Sequence, residues 1–143
     1  MFPATKIEAI HHAGQRYNTV GDWWSPYPNR LNIRVSALGN EEYEFLIAVH
    51  ELVEAMLCRF HSIEERDVDA FDKSFQSHDD ISEPGDDPLA PYHREHAFAL
   101  SIEKLLAQEL GVDWDHYEAA LAALTESVHC ETFEDLEGVG EKE

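Results

Sequence analysis

Residues His50-Glu51-Leu52-Val53-Glu54 set one imidazole and two carboxylates in a single short string. In a helix, His50 and Glu54 are four apart and leave the same face one turn from each other. That spacing lets an imidazole and a carboxylate grip one metal ion. Glu51 points roughly a quarter turn away from His50, placed to take a proton from a metal-bound water rather than to bind the metal. The pattern follows H-E-x-x-H, in which two histidines bind zinc and the glutamate is the general base, with Glu54 standing where the second histidine would be. Carboxylate is a zinc ligand in its own right. Alone, the string also describes a helix with solvated glutamates and one hydrogen-bonded core histidine.

A third ligand must come from elsewhere, and Pro91-Tyr92-His93-Arg94-Glu95-His96 offers two histidines three apart. On a helical wheel His96 and Glu103 fall inside the arc of Ala99, Leu106 and Leu110, and His93 lies at its edge. His96 is therefore the preferred third ligand and His93 the alternative. Glu103, two turns further on, suits an orienting role behind a ligand better than a place on the metal. An ionisable pair at the border of an apolar face needs a partner, because burying it unpaired is costly. Two helices that each turn a histidine and a glutamate inward define a candidate metal site of His50, Glu54 and His96, with zinc as the expected ion.

These residues need helices to hold them. Asn40 is the N-cap of a helix running to about His61, with Glu41 and Glu42 in its first turn. Its apolar face is read as Phe45, Val49, Leu52, Val53, Met56 and Phe60. Ser62 and Glu65 form a capping box for a second helix, to about Gln76. Residues 77–91, with three prolines, a glycine and five acids, are a loop. A third helix runs Tyr92–Leu110 after Pro91 and ends at Gly111. Asp113 caps a fourth, about Trp114–Val128. Ahead of these, Arg16–Trp24 and Leu31–Ser36 read as strands joined by the turn Ser25–Arg30, a hairpin.

The fold class expected is α+β: a small antiparallel β-hairpin unit packed on a bundle of about four helices. One domain spans 1–143, with a β unit at 16–36, a helical part at 40–128 and an acidic tail at 132–143. The chain has 143 residues, long enough to bury a core without staples. Its 30 acidic against 10 basic residues give a formal charge of −20. Such a surface repels nucleic acid and anionic lipid, so neither is an expected partner. Residues 1–40 carry +2 and residues 41–143 carry −22, so the acidity belongs to the helical part. No run of apolar residues is long enough to span a bilayer, no secretory signal is visible, and Cys58 and Cys130 make no disulfide framework. A reducing, cytoplasmic setting is expected.

Other motifs are weaker. His61 shares the stripe of His50 but is three turns away. His11-His12 reads as surface, and Asp86-Asp87 lacks EF-hand spacing. His78-Asp79-Asp80 is similar to the His-Asp pair of HD phosphohydrolases, without that family's further ligands.

A strand (Leu31–Ser36) followed by a helix bearing His-Glu-x-x-Glu resembles the core order of zincin metallopeptidases. The chain also resembles a group of short phage and prophage proteins. That likeness runs through GDWW (Gly21–Trp24), FLIAVHELVEAMLC (Phe45–Cys58), VDAFD (Val68–Asp72), EPGDDPLAPYHREH (Glu83–His96) and LGVDWDHYE (Leu110–Glu118). The zincin resemblance implies His50 as ligand, Glu51 as base, Glu54 in the second ligand's place, and a strand Leu31–Ser36 that aligns extended substrate. The expected function is thus a metal-dependent hydrolase acting on peptide bonds of a peptide or protein substrate. The alternative is a non-catalytic acidic phage accessory or interaction protein that keeps the same residues as a structural metal site or buried polar cluster.

Overall fold

The computed structural model describes residues 1–76 and 83–126. Three strands, β1 (Ala4–Ile10), β2 (Gly21–Trp24) and β3 (Arg30–Ser36), form one sheet in the order β1-β3-β2. β2 runs antiparallel to β3, as a hairpin requires, with Trp23 opposite Ile33. β1 runs parallel to β3, with Ile7 opposite Ile33. Helices α1 (Glu41–Phe60), α2 (Glu65–Ser74) and α3 (His93–Leu110) follow, with a 3₁₀ turn at Pro84–Asp86 and α4 over residues 114–126 of the described chain. The class is α+β, as the sequence predicts.

The alternation of β3 is what places the sheet. Leu31, Ile33 and Val35 point to one face and are buried, Ile33 completely, while Asn32 and Arg34 stay half-exposed. That face meets α1 and, with Trp23, Leu46, Ile47, Ala55, Met56 and Cys58, builds the core. α3 packs along α1 on its other side. Two of the four basic residues of the first part, Arg16 and Arg34, are engaged within the fold. Arg16 pairs with Asp22 (2.7 Å) and Asp69 (3.2 Å), tying β2 to α2, and Arg34 pairs with Glu8 (3.3 Å). Their guanidinium groups lie 4.7 and 4.8 Å from the Trp24 ring.

Several expectations need correction. The β unit begins at Ala4, well before residue 16, because β1 joins through its backbone on the edge of the sheet. Arg16–Val20 is loop, so the first hairpin strand is only Gly21–Trp24. β3 is the central strand, paired on both edges, so Leu31–Ser36 has no free edge on which to align a substrate.

The buried arc of α1 is Leu46, Ile47, His50, Glu54, Ala55, Met56 and Cys58, which shares only Met56 with the predicted face. Phe45 and Phe60 are 47% and 68% exposed. α1 is apolar on most of its circumference, so periodicity alone does not choose the arc that the sheet and α3 cover. The Ser62–Glu65 capping box does not form. Ser62 takes a positive φ of 57° in the connecting turn, Glu64 is the N-cap, and the Glu65 carboxylate accepts from Ser25 N–H instead (2.9 Å). His12, expected at the surface, is buried, its ring bonded to Ser36 Oγ (2.7 Å) and Asn18 Oδ1 (2.9 Å).

The remaining helix ends follow their caps. Asn40 Oδ1 accepts from Tyr43 N–H (3.0 Å), Asp113 Oδ1 from His116 N–H (2.9 Å), and Gly111 closes α3 at φ 68°. His78-Asp79-Asp80, Cys130, the 132–143 tail and the predicted end of the fourth helix lie outside the described residues.

Candidate metal centre

α1 carries His50 and Glu54 to its middle, and α3 brings His96 in its first turn to face them. All three are buried, with 7%, 5% and 6% of their surface exposed. One atom from each converges. Glu54 Oε2 lies 3.0 Å from His96 Nδ1 and 3.2 Å from His50 Nε2, and the two nitrogens lie 3.2 Å apart. Ligands about 2.0–2.1 Å from a tetrahedral zinc stand about 3.3–3.4 Å from one another. The triangle is already close to that size.

Every remaining polar atom of the three side chains is used from outside. His50 Nδ1–H donates to Glu103 Oε1 (2.6 Å), which fixes the proton on Nδ1 because a carboxylate only accepts. His96 Nε2–H donates to Asp86 Oδ1 (3.1 Å), with Glu83 at 3.7 Å beyond. Glu54 Oε1 accepts from Trp23 Nε1–H (3.0 Å). Glu103 in turn accepts from Tyr117 O–H on its other oxygen (2.5 Å). Such outer partners fix ring orientation and turn the second nitrogen of each ring inward.

Electrostatics point the same way. Burial works against a charged His96, but hydrogen bonds to Asp86 and Glu54 outweigh it and hold its pKa at about 10. Burial likewise opposes a charge on His50, yet Glu103 and Glu54 raise its pKa well above the usual imidazole value. Burial raises the Glu54 carboxyl and the two histidines more than reverse this, to about 2. Without metal, therefore, both imidazolium rings aim N–H groups at the same Glu54 oxygen with their nitrogens 3.2 Å apart. A divalent cation held there would take the place of both protons and relieve that crowding.

Glu51 is half-buried and takes no part in the triangle. Its carboxyl packs on Gly21 of β2, so closely that a Cβ there would come within 2.5 Å of Oε1. Burial, then Glu54, push its pKa well above the carboxylate range, with His50 opposing. Among the described residues it has neither a hydrogen-bond nor an ion-pair partner; Arg34 is engaged with Glu8. It borders Gly21 of β2.

His93 is not in the cluster; its Nδ1–H donates to Gly85 O (2.9 Å). His61 binds Glu95 (2.6 Å) outside the triangle, and Cys58 is a buried free thiol. Asp86, taken in the sequence only as part of a weak calcium pair, is the outer partner of His96. Trp23, Gly21, Gly85 and Tyr117 gave no metal signal in the sequence, because none offers a ligand atom; they contact Glu54, Glu51, His96 and Glu103 in turn.

No family model matches the chain, and neither does any curated protein or any solved structure. No helix among the described residues is long and apolar enough to cross a membrane.

Proposed function

We propose that this protein is a zinc-dependent hydrolase of peptide bonds, with His50, Glu54 and His96 as ligands and Glu51 as general base. The observation that carries the reading is the triangle of donor atoms with all its outer atoms already bonded, beside the Glu51 carboxyl, which has no hydrogen-bond or ion-pair partner among the described residues. His50, Glu54 and His96 would hold the ion, and zinc there would supply Lewis acidity to a carbonyl and to water. Glu51 sits one residue from His50 and is the side chain free to accept the proton of the attacking water. Its high pKa belongs to the metal-free protein; a nearby divalent charge favours the carboxylate.

A second reading is favoured by the burial of all three ligands: a structural ion that locks α1 to α3, in a non-catalytic phage accessory or interaction protein. One experiment separates the two. Zinc-loaded protein and Glu51→Gln are incubated with a quenched-fluorescent peptide library. Cleavage by the native protein that is lost in the variant supports the hydrolase. Equal zinc binding with no cleavage by either leaves the structural ion.

A further inference from the structure

The hydrogen bond behind His50 does not stop at Glu103. Glu103 is buried on α3, with Oε1 on His50 Nδ1 (2.6 Å) and Oε2 on the Tyr117 hydroxyl (2.5 Å). Tyr117 belongs to α4 and is completely buried. Its ring meets Tyr43 of α1 edge-on, with centroids 5.1 Å apart, and Trp114 at 5.2 Å. A chain of two short hydrogen bonds therefore joins a side chain of α4 to a candidate metal ligand on α1 through α3.

We propose that Tyr117 is a positioning residue of the metal centre, acting through Glu103 to hold the His50 ring and its tautomer, so that cation binding and the docking of α4 strengthen each other. The proposal rests on the metal reading above. A buried carboxylate with one oxygen unbonded rotates or draws in water to satisfy it, and either change loosens its grip on His50 Nδ1–H. Loss of an outer partner of this kind lowers metal affinity roughly 10–100-fold. Linkage makes the effect mutual: if the Tyr117 bond raises zinc affinity, zinc must favour the docked α4 by the same factor. A tyrosine held only by its packing on Tyr43 and Trp114 does neither.

The test measures zinc dissociation constants by chelator competition for the native chain, Tyr117→Phe and Glu103→Gln, together with amide exchange over residues 114–126 with and without zinc. Tyr117→Phe keeps the ring packing and is expected to weaken zinc binding about 10–100-fold. In the native chain zinc should slow exchange in α4, and in the variant it should not. If Tyr117→Phe does not fold, Glu103→Gln, with the aromatic packing untouched, carries the same two expectations. Native affinity in a folded Tyr117→Phe, or in Glu103→Gln where that is the variant in use, overturns the proposal alone. A native chain that binds no zinc overturns the metal reading with it.

Discussion

Gly85 lies flat against the imidazole of His96: a Cβ at Gly85 would stand 2.4 Å from ring atoms Cγ and Nδ1. No side chain fits there without turning the ring. The same turn supplies Asp86 to the outer nitrogen of His96 and the Gly85 carbonyl to His93. Gly85→Ala should therefore strike the candidate metal centre through His96 without replacing any of the three side chains. The expected result is at least a tenfold weaker zinc affinity by calorimetric titration and a loss of about 1–3 kcal/mol from overpacking. Native affinity in a folded Gly85→Ala would mean that the ring orientation is not what the site depends on.

Gly21 stands to Glu51 as Gly85 stands to His96, since its Cβ would meet Glu51 Oε1 at 2.5 Å and Ile47 Cγ2 at 2.7 Å. Gly21→Ala and Glu51→Gln are expected to leave zinc affinity within about threefold of native, because neither touches the triangle. Any peptidase activity should fall roughly 10²–10⁴-fold in Glu51→Gln, the usual share of a general base. Steady-state rates beside a zinc titration check this; a large loss of zinc affinity in Glu51→Gln would place Glu51 on the metal.

Much of this centre was legible in the sequence, for a definite reason. His50 and Glu54 are neighbours on one helix, and His96 and Glu103 share one stripe of another, so local spacing alone turns each pair inward. Asn40, Gly111 and Asp113 mark helix ends by chemistry that acts within one turn. What could not be read depends on distant packing. β1 is built from Ala, Thr, Lys, Glu and Ile without a clear alternation, and it exists because β3 offers an edge. The buried arc of α1 differs from the predicted one because nothing within a helix apolar on most of its circumference says which side a sheet will cover. Trp23 and Tyr117 lie 31 and 14 residues from the carboxylates they bond.

The metal-free protein should show a pH profile set by the cluster. His96 has its pKa raised to about 10 when folded, so its contribution is complete below the unfolded value near 6.5 and is lost as pH rises towards 10. His50 acts in the same direction. Glu54, lowered to about 2, contributes above its unfolded value of 4.5 and is lost as pH falls through 2. The contribution of these three groups, read by urea unfolding of the apo protein, should thus be greatest between about pH 4.5 and 6.5. Zinc should stabilise more at pH 8 than at pH 6, because its ligands must shed protons. Stability of the apo protein that rises between pH 7 and 9 would contradict this assignment.

Asp72 gives an independent profile. Burial raises its carboxyl to about 7, although hydrogen bonds from Tyr92 and Tyr17 hold it down. The folded state keeps a proton that the unfolded state releases, so stability falls from about pH 4 to pH 7. Asp72→Asn, which can still accept from both hydroxyls, should remove that slope and melt higher than native at pH 8. Equal melting temperatures at pH 4 and a gain at pH 8 are the expected pattern; a loss at pH 8 would show that Asp72 is needed as the anion.

His50, Glu54 and His96 should bind one ion together, which zinc-edge X-ray absorption on the reconstituted protein measures at the ion itself. The expected outcome is one zinc per chain after gel filtration, with two imidazole nitrogens and a carboxylate oxygen at about 2.0–2.2 Å. In His96→Ala the imidazole signal should drop by half and the affinity collapse. No zinc retained by the native chain, or a spectrum that His96→Ala leaves unchanged, would contradict the account.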